Sequence, residues 1–214
     1  MGLGQYVIAE WQSLQEENSI FKNSFKKLEQ KTILKCTNDW FPKKTPQEAC
    51  GYATPRSGEQ FGRVPIPSGL FDDHSDAQMS TTWRQSFTTS GHQTLMTGTN
   101  SGNVLPEDVK VAWIGIMLPN KDQMLTEIRY HIGDQKYGRL NLEEIHAYEK
   151  PAIIFEDGYI INEEEGFEMW GYIEGPIPIQ ATFVTSAYQN IILIGACYYK
   201  QIDKFLGNCG ATIT

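Results

Sequence analysis

Hydrophobic and polar positions change their period along this chain of 214 residues, and the changes divide it into three parts. From Leu3 to about Lys31 the period is helical: Val7, Leu14, Phe21 and Leu28 recur every seven residues, with Leu3, Trp11 and Phe25 on neighbouring turns. Such a stripe predicts an amphipathic helix whose apolar side must be covered, by the chain's own body or by another subunit. Asn18 interrupts the stripe, and "EENS" could split the segment, with Asn18 or Ser19 capping a second helix. "TILKC" then reads as a short strand. Residues 41 to 78 hold five of the ten prolines and few long apolar runs, which predicts an extended covering arm.

From about Met79 the period is two. "STTWRQSFTT" and "HQTLMTG" flank a turn at Ser90-Gly91, and "VKVAWIGIML", "LTEIRYHIG" and "KYGRLNL" follow, with a turn at Gly133-Asp134. Asn141 and Glu144 have the spacing of a capping box, so a short helix is expected there, stopped by Pro151. "AIIFEDGYII" reads as a hairpin about Asp157-Gly158, "FEMWGYIE" as a strand, and "IQATFVTSAYQNIILIGACYYK" as a closing hairpin. So many strands with so few helices between them exclude a parallel βαβ sheet and predict a mainly β chain, an antiparallel sandwich or barrel, with the β-sandwich taken as the fold class. The predicted parts are a helix or arm over residues 1–31, a proline-rich arm over 32–78, and a sandwich body with a tail over 79–214. "VKVAWIGIML" and "NIILIGACYYK" are apolar on both faces, as central strands are when one face meets the core and the other lies under a helix or arm. Gly115 and Gly195 inside them point to a bend or a close backbone approach.

Composition narrows the function classes. The net charge is −8, and the segment after Lys110 carries 14 acidic against 7 basic residues, compared with 12 against 11 before it. Neither end has an Arg/Lys-rich arm, so direct nucleic-acid binding is not expected; the lysines of "FKNSFKKLEQK" read as a solvated helix face. No apolar run reaches the length of a membrane span, and "MGLGQYVIAEW" does not have the form of a secretory signal. The expectation is a soluble, cytoplasmically made chain. Cys36, Cys50, Cys197 and Cys209 form no C-x-x-C pair, which removes the zinc-ribbon and thioredoxin readings. A Cys36–Cys50 or Cys197–Cys209 bridge would need an oxidising setting.

Candidate chemistry is sparse. Cys197 lies among Ile194, Gly195, Ala196 and Tyr198, an apolar setting that raises a thiol's pKa and favours packing over nucleophilic work. "DDHSD" lacks the glycine and distal glutamate of a calcium loop and reads as a polar turn. "EEIH", with Glu143 and His146 a turn apart, is a single copy of an element that di-metal sites use twice. The ten acidic residues from Glu143 to Glu174 could supply a glycosidase-type pair from Glu156, Glu168 and Glu174. Trp83, Trp170, Tyr172 and Tyr188 could line a carbohydrate- or ligand-binding groove. No phosphate loop, dinucleotide fingerprint or nucleophile elbow is present, and no cofactor or metal is expected.

The order of elements, a helical arm, an irregular arm, a run of strands from about Thr82 to Lys200 and the tail "NCGATIT", resembles the single jelly-roll capsid proteins of viruses. That resemblance implies a self-assembling coat subunit in a virion, held to copies of itself and to other coat proteins by its arms. Val7, Trp11, Leu14, Phe21, Phe25 and Leu28 are the candidate contact residues. Without a basic arm, the genome would be met by another protein or by an internal membrane against which the shell lies.

Overall fold

A computed structural model describes residues 6–10, 19–49, 61–73, 75–119, 124–136, 139–144, 151–175 and 187–200. Its strands are β1 (Tyr6–Glu10), β2 (Phe61–Arg63), β3 (Phe71–Asp72), β4 (Arg84–Phe87), β5 (Gly91–Gly98), β6 (Val109–Met117) and β7 (Leu125–Ile132). β8 (Gln135–Lys136), β9 (Leu140–Asn141), β10 (Pro151–Ile161), β11 (Phe167–Ile173), β12 (Ala187–Asn190) and β13 (Ile192–Tyr199) complete them. The helices are α1 (Ser19–Trp40) and the one-turn α2 (Pro46–Ala49).

All pairings are antiparallel, and the main ones are nested. β2 pairs β13, β5 pairs β11, β6 pairs β10, and β7 pairs β8 and β9, two pieces of one broken strand. Counted as eight, the strands therefore pair first with last, second with seventh, third with sixth and fourth with fifth. β13 also joins β6, and β11 joins β7, so the nested pairs roll into two sheets of order 1-8-3-6 and 2-7-4-5. This is the jelly-roll form of the antiparallel sandwich. β1 extends the first sheet beside β10, β3 extends the second beside β5, and β4 pairs β12 in a separate ribbon.

Burial follows from this layering. β11 alternates between buried and half-buried positions, as β7 does from Glu127 on, whereas every residue of β6 except Met117 is buried. One side of β6 sends Val109, Val111 and Trp113 into the core shared by the two sheets. Trp113 is its hub: its ring centroid lies 4.9 Å from Tyr130, 5.0 Å from Phe155 and 5.7 Å from Phe167, all edge-to-face. The other side sends Ala112 and Ile114 outward, where they join Ile154, Ile194, Ala196 and Tyr198 under Leu28, Cys36 and Trp40 of α1. The second apolar face of the central strands is thus covered by the chain's own helix. Cys197, fully buried, packs in the inter-sheet core.

The N-terminal elements differ from their sequence pattern. The stripe from Val7 to Leu28 is not one helix: residues 6–10 form β1, with Val7 opposite Ile154, and α1 starts at the "EENS" break. "TILKC" is helical. Its β-branched residues disfavour a helix in isolation, but Leu28, Thr32, Cys36 and Trp40 stand four apart and turn one buried face to the first sheet. Thr32 and Thr37 donate their hydroxyls to the Leu28 and Ile33 carbonyls, both at 2.8 Å, so neither polar group is stranded. Packing outweighs propensity here. The body also starts before Met79, because β2 and β3 belong to the two sheets and Leu70 and Phe71 are fully buried.

Three turn readings shift as well. "AIIFEDGYII" is one strand, and the Asp157-Gly158 signal marks a bulge: Ile154 pairs Gly115, and pairing resumes only at Tyr159 with Trp113. Gly158 has φ +64°, and a β-carbon there would lie 2.5 Å from Leu28 Cδ2 and 2.9 Å from the Trp113 carbonyl. β4 and β12 pair each other rather than their neighbours β5 and β13. Asn141 accepts the Glu143 N–H at 2.9 Å, as a cap does, with the residues from Ile145 to Lys150 outside the described set. The expected close approaches are present: a β-carbon on Gly115 would strike the Ile153 carbonyl, and one on Gly195 the Ala112 carbonyl.

Candidate functional site

Of the expected contact residues, Trp11 and Leu14 lie outside the described residues, and Val7 is on the edge strand β1. Leu28 is 2% exposed, and Phe21 and Phe25, stacked at 6.1 Å, pack half-buried against the same cluster under α1. This face of α1 meets its own sheet. The two outward faces that remain are the solvent side of α1 and the outer face of the second sheet.

The outer face of the second sheet is built by alternation. Glu168, Trp170 and Tyr172 of β11 turn outward, half-buried, between the buried Phe167, Met169, Gly171 and Ile173. Register sets them beside His131, Arg129 and Glu127 of β7. His131 stands edge-to-face with Trp170 at 4.6 Å, and His92 of β5 lies 4.9 Å from Tyr172. Glu127 pairs with Arg129 and, at 3.5 Å, with Arg139. No described helix covers this face.

At one end the face opens into a cleft of about 470 Å³ lined by His131, Asp134, Glu164, Glu165 and Glu168 with Gly102, Val104, Gly133 and Gly166. Two turns form its walls. They are tied where Leu105 N–H donates to the Glu165 carbonyl at 3.0 Å and Glu164 N–H to the Leu105 carbonyl at 3.1 Å. Asn103 and Glu164 hold left-handed backbone angles, φ +59° and +55°, and Asn103 donates its amide to Glu168 at 2.5 Å. The cleft is acidic and open. Among the described residues no group of three or more His, Cys, Asp or Glu side chains is arranged to hold a metal ion.

A second polar cluster lies where α1 ends. Lys110, with a side chain 2% exposed, is held by Asp39 at 3.0 Å and Glu163 at 3.2 Å. Glu163 also accepts the Trp40 indole N–H at 2.9 Å and the Asp108 N–H at 2.9 Å. Burial alone would lower the Lys110 pKa, but the hydrogen bond it donates to Asp39 and the charge of Glu163 outweigh it and hold the ammonium above its usual value. For Glu163, burial pushes the carboxyl up, while Trp40, the Asp108 N–H and Lys110 together bring it below the usual carboxylate value. These groups clamp the C-terminal end of α1 to the sandwich. The sequence signal for them is the single lysine inside the apolar "VKVAWIGIML".

The remaining candidates separate. Glu168 in β11 and Glu174, just past its end, lie six residues apart, about 20 Å at strand rise, and Glu156 sits in the β10 bulge of the other sheet. They are not assembled as a close pair. Trp170 and Tyr172 share the open face, whereas Trp83 packs on Phe71 at 6.1 Å and Tyr188 lies on the β4–β12 ribbon, 4.6 Å from the Arg84 guanidinium. In "DDHSD", Asp73 accepts the Ser75 and Ala77 N–H groups at 2.8 and 3.3 Å and Asp72 accepts the Thr99 hydroxyl at 2.7 Å, a polar turn; His74 is outside the described residues. Glu143 is exposed, and His146 lies outside the described residues. Among the described residues no helix is long and apolar enough to cross a membrane. Compared with known protein families, curated proteins and solved structures, the chain matches none of them.

Proposed function

We propose that this chain is a self-assembling structural subunit of the virion-coat type, acting in contact with copies of itself and with other coat proteins. The observation that carries the reading is the strand order, 1-8-3-6 facing 2-7-4-5, an architecture that coat subunits use and that lectins and other binding proteins share. Supporting it, α1 seals one outer face while the second sheet leaves a broad half-buried face of aromatic, histidine and charged side chains. Sedimentation velocity and negative-stain microscopy of the purified chain test the proposal. Shells, rings or sheets are expected, and a monomer at every concentration overturns it.

A second reading is a carbohydrate-binding sandwich, favoured by Trp170 and Tyr172, whose rings stand two residues apart on the open face. Oligosaccharide titration followed by tryptophan fluorescence tests it. Binding that is lost in Trp170→Ala supports it, and no response to any glycan overturns it.

A further inference from the structure

Positive charge on this molecule is concentrated in α1. α1 holds Lys22, Lys26, Lys27, Lys31 and Lys35 against Glu29 and Asp39, a net +3, so the other 192 residues of this −8 chain carry −11. Lys22, Lys26, Lys27 and Lys31 are exposed, and Lys27 and Lys31 stand on the side of α1 turned away from the face that Leu28, Thr32, Cys36 and Trp40 lay on the first sheet. Among the described residues none of these four takes part in an ion pair. Leu34, 50% exposed, sits on the same outward side one turn beyond Lys31. An exposed leucine rimmed by lysines has the make-up of a contact patch, with an apolar centre and a charged border.

The complementary surface belongs to the other layer, the outer face of the second sheet, with the acidic cleft at its end beside the turn that carries Glu163. There the acidic cleft presents Asp134 and Glu164, both exposed, and its wall residue His131 stands against the half-buried Trp170, with Tyr172 further along the same face. Carboxylates match the lysines, and the rings offer a platform for Leu34 and for ammonium groups. A polyanion such as nucleic acid would meet the lysine stripe but also the acidic remainder of the chain.

We propose that the outward face of α1 docks on the open face and acidic cleft of the second sheet of a second copy of this chain. The two surfaces differ, one on the helix over the first sheet and the other on the second sheet, so the contact is heterologous and repeats head to tail, closing into a ring or growing as a lattice. The inference rests on the coat-subunit reading and specifies one of its contacts.

Charge reversal tests it. Lys27→Glu/Lys31→Glu and Asp134→Lys/Glu164→Lys change exposed side chains, so circular dichroism and thermal melts should match the unaltered chain. In sedimentation velocity each variant alone should self-associate about tenfold more weakly or worse, and added salt should weaken the unaltered chain. An equimolar mixture of the two variants should regain association, since each then offers the sign its partner lacks.

If the unaltered chain assembles and the variants assemble equally well, or if the mixture gains nothing, this contact is overturned while the coat reading survives. A chain that stays monomeric at low salt overturns both. Loss of duplex-DNA retention in Lys27→Glu/Lys31→Glu with assembly unchanged overturns the contact and assigns the stripe to nucleic acid.

Discussion

Replacing Glu163 by alanine tests the clamp between α1 and the sandwich. The Glu163 carboxylate serves three donors, the Trp40 indole, the Asp108 N–H and the Lys110 ammonium, at 2.9, 2.9 and 3.2 Å. Trp40 is 8% exposed and the Lys110 side chain 2%, so neither recovers its lost bond from bulk water, whereas the half-buried Asp108 N–H rehydrates. At about 1.5 kcal/mol for each stranded donor the loss is about 3 kcal/mol. Breaking a fully buried pair would cost about 3–5 kcal/mol. Glu163 is 27% exposed and Asp39 still holds the lysine, which places the expected cost at about 2–3 kcal/mol. Asp39→Ala leaves the Glu163 bonds intact and removes a group 38% exposed, so it should cost only about 0.5–1 kcal/mol. Urea unfolding at one fixed protein concentration, followed by tryptophan fluorescence and circular dichroism, measures both. The reasoning fails if Glu163→Ala lies within about 0.5 kcal/mol of the unaltered chain, or if Asp39→Ala costs as much.

The same cluster has a pH signature. The lowered Glu163 pKa contributes stability above the unfolded value that is lost as pH falls through the folded one, so the unfolding difference between the unaltered chain and Glu163→Gln should shrink below about pH 4.3. Lys110, with its pKa raised, contributes below its unfolded value, and the difference for Lys110→Met should shrink above about pH 10.4. Gly158→Ala should cost about 2 kcal/mol in a thermal melt, from its positive φ and the overlap with Leu28. Leu28→Ala alone should cost about 2–4 kcal/mol, and the double substitution less than the sum, because the smaller side chain makes room. Removal of residues 1–40 should yield an aggregating body that binds a hydrophobic dye, since Ile114, Ile154, Ile194 and Tyr198 lose their cover; a monodisperse product would refute that role of α1.

Local pattern carried much of the architecture. Alternation marked β7 and β11, strand-length apolar runs marked β6 and β13, and the two apolar faces of "VKVAWIGIML" and "NIILIGACYYK" required a cover on each side. Gly115 and Gly195 marked the close approaches, and the apolar neighbours of Cys197 marked a packing position. These signals are legible because side-chain period and local chemistry are properties of a few consecutive residues. The outward set Glu168, Trp170 and Tyr172 was likewise present in the alternation of "FEMWGYIE".

What only the tertiary structure decided depends on residues distant along the chain. That "TILKC" is helical, and that the bulge at Gly158 is not a turn, follow from α1 lying on the first sheet, where Leu28 meets Gly158 across 130 positions of sequence. Propensity is worth tenths of a kcal/mol per residue and yields to such burial. The Lys110 cluster joins three segments, and the pairing of His131 with Trp170 depends on strand register, which no local window encodes. The sequence by itself determined that strands would dominate and which faces would need cover. Three-dimensional contact decided that α1 covers one of those faces and which charged and aromatic side chains stand outward on the other layer.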